Sequence, residues 1–282
     1  MRLYLCLFFS VLVSACQPEQ SSAQVPQAPV IEKQGKTIYT RFSPPEGYER
    51  SPIDSLSFGY YLRNFPLFPP DHSVHLFDGS LKYAQNLHAA VLKIDVGSRD
   101  LQQCADAIMR LWAEYNYEQK QFESIQFHFV SGFLADYPTW RSGNAISVRG
   151  NRVNWVPSTR SDGSYQSFRK YLNMVFSYAG TLSFAKELTP KSLHSLEIGD
   201  VFIQGGSPGH AVLVVDVAIH PQTGDKAFLL AQSYMPAQEI HILKNPTNSQ
   251  MSPWYSLSDI RDQLRTPEWT FYATDLKEID LQ

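Results

Sequence analysis

Several features that define large protein classes are absent from this sequence. Its 282 residues include only three cysteines, too few for a disulfide-rich scaffold. The net charge of -3 and a pI near 6.2 argue against a general nucleic-acid-binding protein. Neither a phosphate-binding loop nor a Gly-x-Gly-x-x-Gly fingerprint occurs, and no apolar run beyond the N-terminal segment could span a bilayer. We therefore expect no bound nucleotide or other cofactor and no nucleic-acid partner.

Metal-binding spacings are missing too. The eight histidines are scattered, without a His-Glu-x-x-His or Cys-x-x-Cys pattern, so no metal is expected. His72 and His75 could meet with Asp71 in space, but a solvated loop is the preferred interpretation. The sequence around Ser207 does not have the spacing of a serine-hydrolase elbow, and the proline after it removes a backbone N–H.

The N-terminal segment has the pattern of an export signal. Arg2 is followed by the apolar run from Leu3 to Val13 and then by the small residues that precede Cys16. The last four residues of this segment match the bacterial lipobox, in which the cysteine becomes the lipid-modified N-terminus. We expect a signal peptide over 1–15 and a Gln/Ser/Pro-rich tether that begins at the lipidated Cys16 and ends at 35. The alternatives are an ordinary signal peptide, or a cysteine placed there by coincidence.

The rest of the chain, 36–282, is predicted to form a single α+β domain. Apolar periodicity predicts helices over 56–62, over 101–115 with Asp100 as the cap, and over 165–179. Alternating or continuous apolar runs predict strands over 37–42, 74–77, 89–96, 125–129, 145–148, 153–156, 201–203, 211–217 and 227–231.

Cys104 is the single thiol of the predicted domain. Asp100 as N-cap would place it in the first helical turn, where backbone N–H groups and the helix dipole favour a thiolate. A catalytic nucleophile is one interpretation. The other is an ordinary core residue, because Cys104 also lies on the apolar stripe of its helix.

A glycine-rich loop between two predicted strands ends in a histidine. Ser207, Gly209 and His210 lie in this loop, and glycine allows a backbone to pass close to a ligand. His210 at the start of a strand is a candidate general base for the thiol. The alternative is a tight turn that carries a solvated histidine.

The base needs a partner to orient it. Asp216 is excluded because six residues of strand separate it from His210 by ~20 Å. A hairpin centred near residue 221 would place Gln232 opposite His210 on the same face. A slip of one residue would bring Ser233 there instead, so both remain open.

The order Cys104, His210, Gln232, with a Gly-Asp strand before the histidine strand, resembles that of papain-like cell-wall endopeptidases and amidases. The resemblance implies a papain-like core, in which the helix that bears the cysteine packs on an antiparallel sheet, here with N-terminal β elaborations. At a closer level, four stretches resemble a bacterial lipoprotein family known as domain of unknown function 4846. These stretches are 99–106, 178–181, 205–210 and 231–238. This second resemblance implies an exported or lipid-anchored envelope protein.

These observations lead to two hypotheses about function. The first is an envelope lipoprotein that hydrolyses amides in cell-wall peptide, with Gln103 as an oxyanion candidate beside the three residues above. It would be anchored through lipid on Cys16, with the outer membrane favoured, and would face the periplasm or the exterior. The second is a non-catalytic lipoprotein that binds glycan, peptide or a protein partner through the same cleft. The residues expected to line the cleft are Trp140, Trp155, Ser207, Gly209, Ser233 and Tyr234.

Overall fold

The computed structural model describes Met1 and residues 28–158 and 160–281. Cys16, the expected signal peptide after Met1 and the first part of the tether lie outside the described residues. Within the described part of the chain, no helix combines the length and the apolar character needed to cross a membrane.

Two long amphipathic helices and four short ones are found in the described residues. The long helices begin and end close to the predicted positions because their apolar residues recur at helical spacing. The hydroxyl of Ser164 caps the second by accepting from the backbone N–H of Ser167. The helices are α1 (Ile38–Arg41), α2 (Phe58–Arg63), α3 (Cys104–Glu118), α4 (Tyr137–Arg141), α5 (Tyr165–Tyr178) and α6 (Thr181–Glu187).

A nine-stranded sheet forms the centre of the molecule, and three small hairpins surround it. The strands are β1 (Glu49–Arg50), β2 (His88–Val91), β3 (Gln126–His128), β4 (Leu134–Asp136), β5 (Asn144–Arg149), β6 (Arg152–Pro157), β7 (Thr189–Pro190), β8 (Val201–Gln204), β9 (His210–Ile219), β10 (Lys226–Gln232), β11 (His241–Leu243), β12 (Tyr255–Ser256), β13 (Gln263–Arg265), β14 (Thr270–Tyr272) and β15 (Leu276–Glu278). The large sheet has the order β2-β11-β10-β9-β8-β15-β7, with β1 on β9 and β12 on β10, and its pairs are antiparallel.

Both faces of the central strands are covered. On one face, Ala211, Leu213 and Val215 of β9 pack with residues of α3 and α5. On the other face, Val212 and Val214 pack in a second cluster that includes residues of the β13–β14 hairpin. Because both faces are buried, the sequence of β9 is a nearly continuous apolar run and does not alternate between apolar and polar residues.

The prediction of an α+β fold with an antiparallel sheet is confirmed. The predicted strand over 37–42 is wrong, since Thr37 and Thr40 form a reciprocal cap that begins α1. Segment 74–77 makes only isolated bridges, through His75 and Leu76. The predicted strand over 89–96 is reduced to β2. The N-terminal elaborations are therefore a mixture of short helices and short strands.

Candidate functional site

Cys104 is the first residue of α3, and Gln103 is its N-cap. The Gln103 backbone N–H donates to Asp106 Oδ2 at 3.1 Å, which holds the start of the helix. The predicted cap, Asp100, is not the cap. Its Oδ1 accepts from Gln103 Nε2 at 3.0 Å and from the Ala237 N–H at 2.7 Å. The Asp100 carboxylate thus binds the distant segment around Ala237, and the helix begins three residues later than predicted.

Burial controls the ionisation of the Cys104 thiol. The side chain is only 7% exposed, and desolvation followed by the nearby Asp106 carboxyl raises its pKa to about 11. The backbone N–H groups of Ala105 and Ala211 oppose this rise. In this state the residue is a thiol at neutral pH, contrary to the thiolate expected from its position in the helix.

Asp106 was missed by the sequence analysis. It lies two residues after Cys104, is buried, and has its pKa raised well above the usual value by desolvation. Its Oδ1 has no hydrogen-bond partner among the described residues. The signal for it was the acidic residue three positions after Gln103, a spacing typical of a helix start.

His210 and Gln232 form a direct hydrogen bond. His210 Nε2 lies 2.9 Å from Gln232 Oε1, while Gln232 Nε2 donates to Glu268 Oε2 at 2.7 Å. Because a carboxylate cannot donate, the amide orientation is fixed, and His210 Nε2 must carry the hydrogen. The neutral ring then keeps Nδ1 as its acceptor. Lys82 Nζ donates to the same Glu268 oxygen at 2.6 Å, and neither Lys82 nor Glu268 was recognised from the sequence.

Aromatic rings surround His210. Its ring centroid lies 4.8 Å from that of Tyr234, 5.4 Å from that of Trp269 and 5.9 Å from that of Phe271. The side chain is 1% exposed, and desolvation lowers its pKa to about 4 in spite of the hydrogen bond to Gln232. The imidazole is therefore neutral at pH 7.

A β-bulge decides which side of β10 faces His210. Leu229 pairs with Asp216 and Leu230 pairs with Val214, so Val215 is an extra residue on β9. Beside the turn, Lys226 pairs with Ile219, so the hairpin is centred between residues 222 and 223 and not nearer to residue 221 as predicted. Without the bulge, Gln232 would lie on the face opposite to His210. With it, Gln232 lies on the His210 face, two positions along the strand from the residue opposite His210, and within reach of the ring.

Cys104 begins α3 and His210 begins β9, and the two side chains are not hydrogen-bonded to each other. The backbone N–H of Ala211, the residue next to His210, lowers the pKa of the Cys104 thiol. The His210 ring instead packs on Phe271, which belongs to the apolar cluster on the far side of the sheet. Among the hydrogen bonds of the described residues, none joins the sulfur to the imidazole.

A cleft of about 510 Å³ lies beside the start of α3. It is bordered by the glycine loop before β9 and by the segment that precedes α6. The predicted residues on its wall include Gln103, Cys104, Ser207 and Gly209, together with the unpredicted Asp106. His210 and Gln232 are not among the residues that line this cleft.

Other predicted cleft residues lie elsewhere. The Trp140 ring packs on Tyr171 at 5.9 Å, and the Trp155 ring packs on Phe133 at 5.6 Å, so neither lines this cleft. Ser233 is fully buried, and its hydroxyl lies between two backbone carbonyls. Aromatic side chains of this size serve the core, whose contacts the sequence alone does not reveal.

Asp216, which was excluded as the orienting residue, has a different role. It is fully buried, and its two oxygens accept from Arg63 Nε at 2.7 Å and from Arg50 Nε at 2.8 Å. These bonds fix α2 and β1 to the far end of β9.

Comparisons with known proteins agree with the closer of the two resemblances. The model of a family described as domain of unknown function (4846) matches residues 38–278. No curated protein and no solved structure matches the chain. The matched segment covers nearly all of the described domain, and the chain belongs to the family of domain of unknown function 4846.

Proposed function

We propose that this chain is a cell-envelope lipoprotein with a papain-like catalytic core, which hydrolyses amide bonds by means of Cys104. His210 is the base and Gln232 holds its ring. The observation that carries the proposal is the hydrogen bond of 2.9 Å between His210 Nε2 and Gln232 Oε1. It leaves Nδ1 as the proton acceptor, on the residue that precedes Ala211, whose backbone N–H lowers the pKa of the Cys104 thiol.

The pKa shifts favour a neutral pair at rest over an ion pair. The thiol, with its pKa raised to about 11, transfers its proton to neutral His210 Nδ1 as the sulfur attacks the substrate carbonyl. The S–C bond forms, and the proton then passes from Nδ1 to the leaving amine as the C–N bond breaks. Water hydrolyses the resulting thioester. Because the His210 ring lies on the face of the sheet opposite to α3, this transfer requires a rearrangement at the start of β9 that brings Nδ1 and the sulfur together.

The oxyanion of this reaction would form at the start of α3. The Cys104 backbone N–H lies at the helix N-terminus, where the dipole favours negative charge. Gln103 Nε2 is the second donor, once it exchanges its bond to Asp100 for one to the substrate. The buried Asp106 carboxyl lies on the same wall of the cleft, and desolvation raises its pKa, which reduces its repulsion of the oxyanion.

The substrate class follows from the compartment. Arg2, the apolar run after it and the lipobox that ends at Cys16 support lipid anchoring in the envelope, with the outer membrane favoured. Amide-linked peptide in that compartment is mainly cell-wall peptide. The cleft of about 510 Å³ beside Cys104 suits a short peptide stem.

One observation favours a second function, the binding of glycan, peptide or a protein partner without catalysis. His210 is 1% exposed, and its ring packs on the side of the sheet opposite to α3. In that case Cys104 is a packing residue, and the polar chain from His210 to Glu268 holds the sheet together.

Turnover of peptidoglycan fragments distinguishes the two functions. The full chain, purified from membranes in detergent, is incubated with soluble muropeptides, and the products are identified by mass spectrometry. We expect cleavage by the wild type, none by Cys104→Ser, and a loss of about 10²–10⁴-fold for His210→Ala. Cys104→Ser keeps the size of the side chain, so its circular dichroism and melting temperature serve as the control for folding.

Undiminished cleavage by Cys104→Ser would contradict the hydrolase. If neither protein cleaves and both bind the fragments equally, the second function is supported. Iodoacetamide labelling supplies a further readout. The raised thiol pKa predicts that labelling of the folded protein accelerates as the pH rises toward about 11.

A further inference from the structure

A second cluster of chemically active side chains lies away from Cys104. His72 and His75 are three positions apart in the segment before β2, and Glu239 lies just before β11. His72 Nε2 is 3.0 Å and His75 Nδ1 is 3.2 Å from the same Glu239 oxygen, Oε2. Asp71, the partner considered from the sequence, is exposed and does not belong to the cluster.

The spacing of these atoms matches a metal coordination shell. One ligand atom from each residue lies within 4.8 Å of the other two. In a tetrahedral zinc site with bonds of about 2.0–2.1 Å, neighbouring ligand atoms are about 3.3 Å apart. The two contacts to the carboxylate already have almost this length, and all ligand atoms lie within 4.8 Å of one another, so side-chain movements alone would complete the arrangement.

We propose that His72, His75 and Glu239 bind a divalent transition-metal ion, with Zn²⁺ as the best fit. Two imidazoles and one carboxylate form a borderline donor set, which favours Zn²⁺ over Mg²⁺ or Ca²⁺. A pair of histidines close in sequence with a distant third ligand is a common zinc arrangement.

The backbone around the cluster holds the ligands in place. The His75 N–H donates to Glu239 Oε2 at 2.9 Å, and the Glu239 N–H donates to the His75 carbonyl at 2.9 Å. The His72 ring stacks on Phe68 with centroids 3.9 Å apart. The Glu239 carbonyl accepts from His241 Nδ1 at 2.9 Å. Such supporting bonds restrict the side chains that bind a metal.

Solvent reaches the three residues of the proposed site. His75 and Glu239 form part of the wall of a cleft of about 700 Å³, which Lys93 and Asp95 also line. The three ligand side chains are partly exposed, with 23% for His72, 36% for His75 and 12% for Glu239. Water or a small anion completes the shell, and the ion can enter and leave without unfolding of the chain.

A pair elsewhere in the chain provides a matched comparison. His128 Nδ1 lies 3.4 Å from Glu187 Oε2, but no third ligand joins them among the clusters of the described residues. An imidazole–carboxylate pair offers only two ligands and should not hold Zn²⁺ tightly. His128→Ala therefore removes a histidine of similar surroundings without touching the proposed site.

Direct metal titration tests the proposal. The tag-free full chain is treated with EDTA, dialysed, and titrated with Zn²⁺ in competition with a chromophoric chelator. We expect one tight site per chain. Affinity should fall by at least about tenfold in His72→Ala, His75→Ala and Glu239→Gln, and remain unchanged in His128→Ala. Circular dichroism of the metal-free variants checks that they fold.

A spectroscopic measurement on the wild type does not depend on any variant. X-ray absorption of the Zn²⁺-loaded protein should show two imidazole ligands and oxygen donors, and Co²⁺ should give the visible bands of a tetrahedral ion. Absence of a tight site, binding by His72→Ala equal to that of the wild type, or a shell without two imidazoles would each overturn the proposal.

Discussion

At the scale of single residues, desolvation outweighs the helix dipole at Cys104. A charge at a helix terminus is typically stabilised by about 0.3–1 kcal/mol. A rise of the thiol pKa from 9.0 to about 11 corresponds to roughly 3 kcal/mol in the opposite direction. A first-turn position therefore does not by itself produce a reactive thiolate when the sulfur is almost completely buried.

Asp216 is expected to contribute strongly to the stability of the fold. Its buried carboxylate is bound by Arg63 and Arg50, so Asp216→Asn leaves two guanidinium groups without their charged partner. We expect the free energy of unfolding in urea to fall by about 3–5 kcal/mol. The exposed Asp71→Asn is the control and should change it by less than about 0.5 kcal/mol. A loss for Asp216→Asn as small as that of the control would show that the arginines are satisfied by other groups.

At the scale of elements, one extra residue organises the contact between β9 and β10. The bulge at Val215 places both Val215 and Asp216 toward the helix side of the sheet, where Asp216 reaches Arg63. The same irregularity turns Gln232 toward His210. The buried ion pair and the His210–Gln232 bond thus depend on one feature of the strand pairing.

The loop between β8 and β9 leaves no room for a side chain at Gly209. A Cβ at Gly209 would approach Thr181 Oγ1, and it would lie 2.7 Å from the Gly206 carbonyl and 2.8 Å from the Gln204 carbonyl. Gly209→Ala should therefore displace the loop and destabilise the fold by about 1–3 kcal/mol. Urea unfolding measures this loss.

Gly180→Ala is the matched control for this loop. Gly180 borders the same cleft, its φ of 170° is extended, and nothing lies within 4 Å of an added Cβ. We expect a change of less than about 0.5 kcal/mol. Equal effects of the two substitutions would contradict the packing argument.

At the scale of the whole molecule, covering the sheet on both faces buries several ionisable groups and shifts their pKa values toward the uncharged form. Desolvation lowers the pKa of His210 to about 4 and that of fully buried His241 to about 3. It raises the pKa of Asp200 to about 6 in spite of the neighbouring Lys191. The buried histidines resist protonation, so their shifts lower stability as the pH falls. The buried carboxyl resists ionisation, so its shift lowers stability as the pH rises.

The contribution of His241 to the pH dependence of stability can be measured by comparison with a variant. A histidine with a lowered pKa contributes stability that is fully present above its unfolded value of about 6.5 and is lost as the pH falls toward about 3. Asn can replace Nδ1 as the donor to the Glu239 carbonyl. Relative to His241→Asn, the wild type should lose about 2–3 kcal/mol between pH 6.5 and pH 4.5.

Urea unfolding at a series of pH values, in EDTA, measures this difference. Exposed His194→Asn is the control, and its curve should run parallel to that of the wild type. Parallel curves for wild type and His241→Asn would show that the buried ring is protonated without cost.

The amino-acid sequence by itself determined the elements with strong local patterns. The helical spacing of apolar residues located α3 and α5, and apolar runs located β8, β9 and β10. It also indicated the partnership of His210 with Gln232, because a hairpin returns the chain to its neighbouring strand. Periodicity, capping and short turns depend on residues a few positions apart, so a single sequence contains them. The strand predicted over 37–42 failed because two threonine hydroxyls cap a helical turn there.

Only the tertiary structure decided the rest. The Asp100 carboxylate accepts a hydrogen bond from the distant Ala237 N–H and does not cap the helix. The bulge at Val215 arises from the pairing of whole strands. The burial that keeps Cys104 a thiol comes from layers packed around the sheet. Glu239 reaches His72 across 167 positions. Register, desolvation and long-range side-chain clusters depend on which distant surfaces pack together, and packing is a property of the folded chain rather than of any local stretch.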